Sequence, residues 1–232
     1  KFKNYTYIGD PINAVKIFND LGADELIFLD IEATNKKRLI SMDFVKKVGV
    51  EANMPFGVGG GISKINQIKE IIALGAEKVI LNTSAVKDFG FIESAVQEFG
   101  SSTIVVSVDV KKTFFQGLKV FTNSGKNLTK LDPLEHCIKM EKLGVGEIIL
   151  NSIDYDGMMK GYDLKLIENI SKSISIPVVA SCGAGKFDDF NDAILRGKAS
   201  AVAAGSMFVF HGPRNAVLIN YPTKEELQKL VL

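Results

Sequence analysis

Two cysteines and two histidines are all that the 232 residues offer of the side chains most used for disulfide frameworks and transition-metal centres. Cys137 and Cys182 cannot build a disulfide scaffold, which points to a reducing, cytoplasmic compartment. With only His136 and His211 available, no metal site and no cofactor is expected. His136 and Cys137 are neighbours on a predicted helix and diverge by about 100°, so they form no nucleophile–base pair. No apolar run reaches the roughly 18 residues that span a bilayer. No basic tract disturbs the balance of 28 Lys and Arg against 27 Asp and Glu, which argues against nucleic acid and anionic membrane as partners. The chain begins at Lys1, not Met, so a segment ahead of it is expected, and that segment is not expected to be a signal peptide.

What is present is a repeat. At 46% hydrophobic residues the chain can bury a large core, and its length suits an α/β barrel folding as one domain over residues 1–232. Gly9-Asp-Pro11 opens a helix with Asp10 as cap and Pro11 at its first position; Ile12, Val15, Phe18 and Leu21 recur at helical spacing until Gly22. Apolar strands follow Gly22, Gly75, Gly144 and Gly197, ending at Asp30, Asn82, Asn151 and Gly205. Others run from Pro55 and Pro177 into glycine-rich exits, and one runs from Ser102 to Asp109. Helices are predicted for residues 65–74 after a Ser63 cap, for 91–99 after Asp88, after Asp132-Pro133, after Asp163, and for 187–194.

Strands alternating with helices argue a parallel sheet buried on both faces. Seven strands are predicted, near 26–30, 55–59, 78–82, 103–109, 147–151, 177–181 and 200–204. The architecture expected is a (β/α)8 TIM barrel with a two-fold half-barrel repeat, its first strand absent from residues 1–232. A doubly wound dinucleotide-binding sheet is the alternative, disfavoured because the glycine-rich exits come as a spaced pair. Gly59-Gly-Gly61 and Gly183-Ala-Gly185 occupy equivalent points of the two halves, followed by Asn82-Thr83-Ser84 and by Gly205-Ser206. Backbone N–H groups exposed at such turns hold anions, so a ligand with a phosphate at each end is expected; tight turns alone are the competing explanation.

Together, Gly9-Asp-Pro, Phe28-Leu-Asp-Ile31, Val58-Gly-Gly-Gly-Ile62, Ser107-Val-Asp-Val-Lys111, Asp154-Tyr-Asp-Gly157, Gly161-Tyr-Asp-Leu164 and Ser181-Cys-Gly-Ala-Gly185 resemble the cyclase subunit of imidazole glycerol phosphate synthase (HisF), over residues 8 to about 210. The resemblance implies a barrel that takes ammonia from a glutaminase subunit docked on its N-terminal face. Such a barrel converts a bis-phosphorylated ribulosyl intermediate to imidazole glycerol phosphate and an aminoimidazole carboxamide ribotide. It makes Asp109 one of two catalytic aspartates, the other lying on the absent strand, with Asn82 orienting substrate beside it. Gly60, Gly61 and Thr83 would hold one phosphate. Gly157, Cys182, Gly183, Gly205 and Ser206 would hold the other, although packing is a competing reading of Cys182. Asp156 would bind the substrate or loop on the opposite half. For Asp30 and Asp154, bonding of loop backbone competes evenly with function. Glu25, Lys78 and Glu147 match the family's salt-bridged ammonia gate; stabilisation of the barrel bottom is the competing reading.

The chain also departs from the family. Tyr155 replaces an arginine, Met158 a threonine, and Glu32 a small hydroxyl residue; residues 122–129 keep part of a flexible loop. Met158-Met159 is apolar for a mouth loop and suits a lid or a partner contact. His211 is expected in a loop, and the tail over residues 210–222 resembles paralogues encoded with surface-polysaccharide genes. Those are thought to deliver ammonia for converting a sugar acetamido group to an acetamidino group. A different phosphate-binding barrel, such as a sugar-phosphate isomerase, is the third possibility.

Overall fold

A computed structural model describes residues 2, 6–212 and 214–230. In chain order the first half holds α1 (Pro11–Leu21), β1 (Leu26–Leu29), α2 (Met42–Glu51), β2 (Phe56–Gly59), α3 (Ile65–Ala73), β3 (Lys78–Leu81), α4 (Thr83–Lys87) and α5 (Phe89–Phe99). Next come β4 (Ile104–Thr113), β5 (Gly117–Thr122), β6 (Asn127–Leu128), α6 (Pro133–Lys142), β7 (Glu147–Ser152), α7 (Leu164–Ser171), β8 (Val178–Ser181) and α8 (Phe187–Leu195). The chain then forms β9 (Ala201–Val202), α9 (Ser206–Val209), β10 (Phe210–His211), β11 (Ala216–Val217) and α10 (Lys224–Leu227).

Local chemistry sets the helix ends. Asp10 accepts from the Ile12 and Asn13 N–H groups at 2.9 and 3.1 Å, and Gly22 closes α1 at φ 70°. Asp88, Asp132 and Asp163 cap α5, α6 and α7 as expected. Ser63 does not cap α3: its N–H donates to Gln67 Oε1 at 2.9 Å, and Lys64 holds the cap position. The sequence reading missed α2, whose pattern is broken by Gly49. A Cβ there would lie 2.0 Å from the Leu74 carbonyl oxygen, so close packing selects glycine against helix propensity. His211 lies in a strand, not a loop, in the β10–β11 hairpin. The segment expected to be a flexible loop instead joins β5 and β6, which extend β4 as an antiparallel ribbon beyond the sheet.

Strands β1, β2, β3, β4, β7, β8 and β9 pair side by side in chain order, all parallel, as in a (β/α)8 TIM barrel. These are the seven predicted strands. Among the described residues β1 and β9 form the two edges and do not pair with each other. The main apolar core lies between strands and helices. A second, smaller cluster joins Ile80, Val105, Ile149 and Val179 with Ile27 and Ala203, drawing on six of the parallel strands or their ends. Because side chains alternate along a strand, this cluster fixes which residues share its face. Two positions before it stand Glu25, Lys78 and Glu147; two positions after it stand Asn82, Ser107, Asn151 and Ser181, and Asp109 follows Ser107 by two more. One face therefore carries a charged layer at the N-terminal end, an apolar layer, and a polar layer at the C-terminal end.

Candidate active site

Asp109 is placed by β4, a run of Val and Ile buried on both faces up to the carboxylate. In register it sits level with Asn151 of β7, which in turn faces Ser181 of β8. The side chain is 5% exposed, and Oδ1 accepts from Asn151 Nδ2 at 2.8 Å. Burial is the dominant influence and pushes the carboxyl from 3.8 up to about 6; the Asn151 and Asn82 side chains pull it down, and Asp156 pushes it up. A carboxyl poised there is ionised at neutral pH yet cheap to protonate, which suits proton transfer. Asn82, at the end of β3, donates through Nδ2 to the Ser107 carbonyl at 2.9 Å and so stands beside β4 at that level.

Two short helices begin beside this layer. Asn82 precedes α4 with φ −129° and ψ −81°, and Gly205 precedes α9 with φ −114° and ψ −70°. Neither helix start receives a side-chain cap, so the first N–H groups at Thr83-Ser84 and Ser206-Met207 match across the two halves. Thr83 is itself tied in: its Oγ1 accepts from the Asn123 N–H at 3.1 Å.

The glycine exits are crowded by neighbouring loops. A Cβ on Gly61 would lie 2.0 Å from the Arg38 carbonyl oxygen, one on Gly183 2.3 Å from that of Gly161, and one on Gly185 2.2 Å from that of Met159. Gly60 and Gly61 hold φ 138° and 70°, and Gly183 holds 120°. Glycine is thus required here by backbone approach and by left-handed conformation. The N–H groups of Gly185 and Lys186 already donate to the buried Asp189 carboxylate at 2.8 and 3.1 Å. The sequence reading missed Asp189; its pairing mirrors Gln67 against Ser63 and Lys64 in the first half. Gly157 and Gly205 are open: no atom lies closer than 3.9 Å to a Cβ built at either.

Two of the mouth acids organise loops. Asp30 accepts from the Glu32 and Ala33 N–H groups and pairs with Arg38; Asp154 accepts from the Lys112 N–H at 3.1 Å and ties the loop after β7 to β4. Asp156 accepts from the Phe2 N–H at 3.0 Å. At the opposite end of the strands, Lys78 Nζ reaches Glu25 at 2.8 Å and Glu147 at 3.0 Å. Burial lowers the Lys78 amine, but the two carboxylates outweigh it and raise it overall. His136 and Cys137 are buried on α6; burial takes the imidazole down to about 4 and the thiol up to about 12, so neither is poised for chemistry at pH 7.

The tail closes against the start of the chain. The Tyr221 hydroxyl donates to Asp24 Oδ2 at 2.7 Å, and its ring meets Phe18 of α1 edge-on at 6.4 Å and Phe208 at 5.1 Å. No helix among the described residues is long and apolar enough to cross a membrane, and no cluster of metal-ligating side chains occurs among them.

Residues 1–213 match the family model described as Histidine biosynthesis protein. A Pseudomonas aeruginosa protein carrying the provisional name imidazole glycerol phosphate synthase subunit hisF2 is 46% identical over 98% of this chain and 90% of its own length. The imidazole glycerol phosphate synthase subunits HisF of Clostridium botulinum (strain Okra) and Alkaliphilus metalliredigens are 43% and 41% identical, over 90% and 88% of this chain and 83% and 81% of their own. On this match the chain belongs to the histidine biosynthesis protein family, among its HisF-type members.

Proposed function

We propose that this protein is the ammonia-dependent cyclase subunit of an imidazole glycerol phosphate synthase, a lyase of histidine biosynthesis. The single observation that carries the reading is a buried carboxylate, Asp109, in a polar layer beside two matched helix starts. Thr83, with Gly60 and Gly61 behind it, holds one phosphate of the substrate. Ser206, Gly205 and Gly157 hold the other, with Cys182 and Gly183 behind them. Asp109 takes a proton as ammonia adds and returns one as the imidazole ring closes. Asn82 orients the substrate beside it, and Asp156 binds the substrate or loop on the opposite half.

Ammonia comes from a glutamine amidotransferase subunit at the N-terminal face. There the Glu25–Lys78–Glu147 bridge covers the route into the apolar layer, which passes neutral NH3 more readily than ammonium ion. A second reading, ammonia delivery for acetamidino-sugar formation, is favoured by the Pseudomonas aeruginosa relative's hisF2 designation and by the Tyr221 tail. The experiment supplies the bis-phosphorylated ribulosyl intermediate with an ammonium salt and measures release of imidazole glycerol phosphate. Turnover supports the cyclase. A folded protein that binds the intermediate without turning it over favours ammonia delivery.

A further inference from the structure

Every hydrogen-bonding atom of the Asn151 amide is committed within the protein. It is 6% exposed. Nδ2 donates to Ser107 Oγ at 2.9 Å and to Asp109 Oδ1 at 2.8 Å, and Oδ1 accepts from the Cys182 thiol at 3.7 Å. Ser107 is fixed in turn, its carbonyl taken by Asn82. We propose that Asn151, oriented by the Cys182 thiol, is a positioning residue that decides which oxygen of Asp109 carries the proton. This rests on Asp109 acting in proton transfer.

The amide nitrogen has only donors. Asp109 Oδ1 accepts from it, and a proton placed on that oxygen would leave it a hydroxyl, a much weaker acceptor for the same bond. Protonation is therefore directed to Oδ2. If the amide turned over, its oxygen would face the carboxylate; the thiol, which also meets Ser181 Oγ at 3.8 Å and the Asp156 carboxylate, disfavours this by donating to that oxygen. The thiol stays protonated: burial and the nearby Asp156 and Asp109 charges all drive its ionisation far up. The arrangement also accounts for Cys182 in a left-handed backbone conformation, φ 71°, where glycine costs less. A glycine there would leave the Asn151 oxygen without its donor.

The test follows the Asp109 carboxyl by carbon-13 NMR titration in the ligand-free protein, assigned with Asp109→Asn. Alongside it runs the pH profile of kcat/KM with the bis-phosphorylated intermediate and ammonium salt. Asn151→Leu removes the donor at similar size, and the Asp109 midpoint is expected to rise by about one unit or more. Cys182→Ala should move it the same way by less, and Cys182→Ser, which keeps a donor, should bring it back. In the active protein the acid limb of the profile moves with the midpoint. An unmoved midpoint in folded Asn151→Leu overturns the proposal. If that variant does not fold, an unmoved midpoint in Cys182→Ala overturns it instead. A midpoint that shifts in an enzyme without turnover upholds the network and rejects the proton-transfer reading of Asp109.

Discussion

Replacing Asp109 by Asn should make the protein more stable at neutral pH while removing the group placed to do chemistry. The carboxyl titrates near 3.8 in an exposed chain and near 6 in the fold, with burial as the main cause. A difference of one unit is worth ~1.4 kcal/mol, so keeping Asp109 ionised at pH 7 costs the folded state about 3 kcal/mol. Between pH 4 and 6 the folded state binds the extra proton, and this group's contribution to stability falls as pH rises through that window. Above it, the full cost persists. Asparagine has nearly the same shape, its amide oxygen can still accept from Asn151 Nδ2, and it carries no charge to desolvate. At pH 7 the variant should gain up to about 3 kcal/mol, roughly 6–12 °C in Tm for a domain of this size. At pH 4 the two proteins should melt together. Calorimetry or circular dichroism melts across pH 4–8 check this. A variant melting at or below wild type throughout that range would refute the reasoning, because the carboxylate would then be a stabilising cap and not a desolvated acid.

Other substitutions test the remaining parts. Lys78→Met leaves Glu25 and Glu147 facing each other without their shared cation, and should cost about 1–3 kcal/mol in denaturant melts because the bridge is only half-buried. Gly183→Ala places a methyl group against the Gly161 carbonyl at φ 120°, and Gly61→Ala one against that of Arg38 at φ 70°. Each should lose about 1–3 kcal/mol through strain, read by urea titration. Tyr221→Phe removes the 2.7 Å bond to Asp24 but keeps the ring contacts, so a loss of about 0.5–1.5 kcal/mol is expected, with exchange protection lowered around α1 and the tail.

The parts of this fold legible in the sequence were those set by local periodicity. Continuous apolar runs ending in Asp109 or Asn82 could only be strands buried on both faces, and Asp-Pro at residues 10–11 and 132–133 announced helix starts. Glu25, Lys78 and Glu147 could be placed together because each falls four or five residues before its strand's C-terminal end. What was not legible depended on contacts between distant segments. Gly49 hid α2 because its reason is the Leu74 backbone, and the β4–β5 ribbon has alternation too brief to separate from a loop. In sequence the glycine exits suit anion cradles; the crowding by Arg38, Gly161 and Met159 that also demands glycine comes from segments far away along the chain. Asn151 was visible as a polar strand end equivalent to Asn82, but its three hydrogen bonds reach two other strands, β4 and the exit of β8.

The claim most open to direct contradiction is that Asp109 performs proton transfer between two phosphate sites. Its measurement is kcat with saturating bis-phosphorylated intermediate and ammonium salt, for wild type and Asp109→Asn. The account predicts wild-type turnover and a loss of about 10²–10⁴-fold in kcat, with KM little changed and Tm at pH 7 raised. An Asp109→Asn protein that keeps wild-type kcat would contradict it.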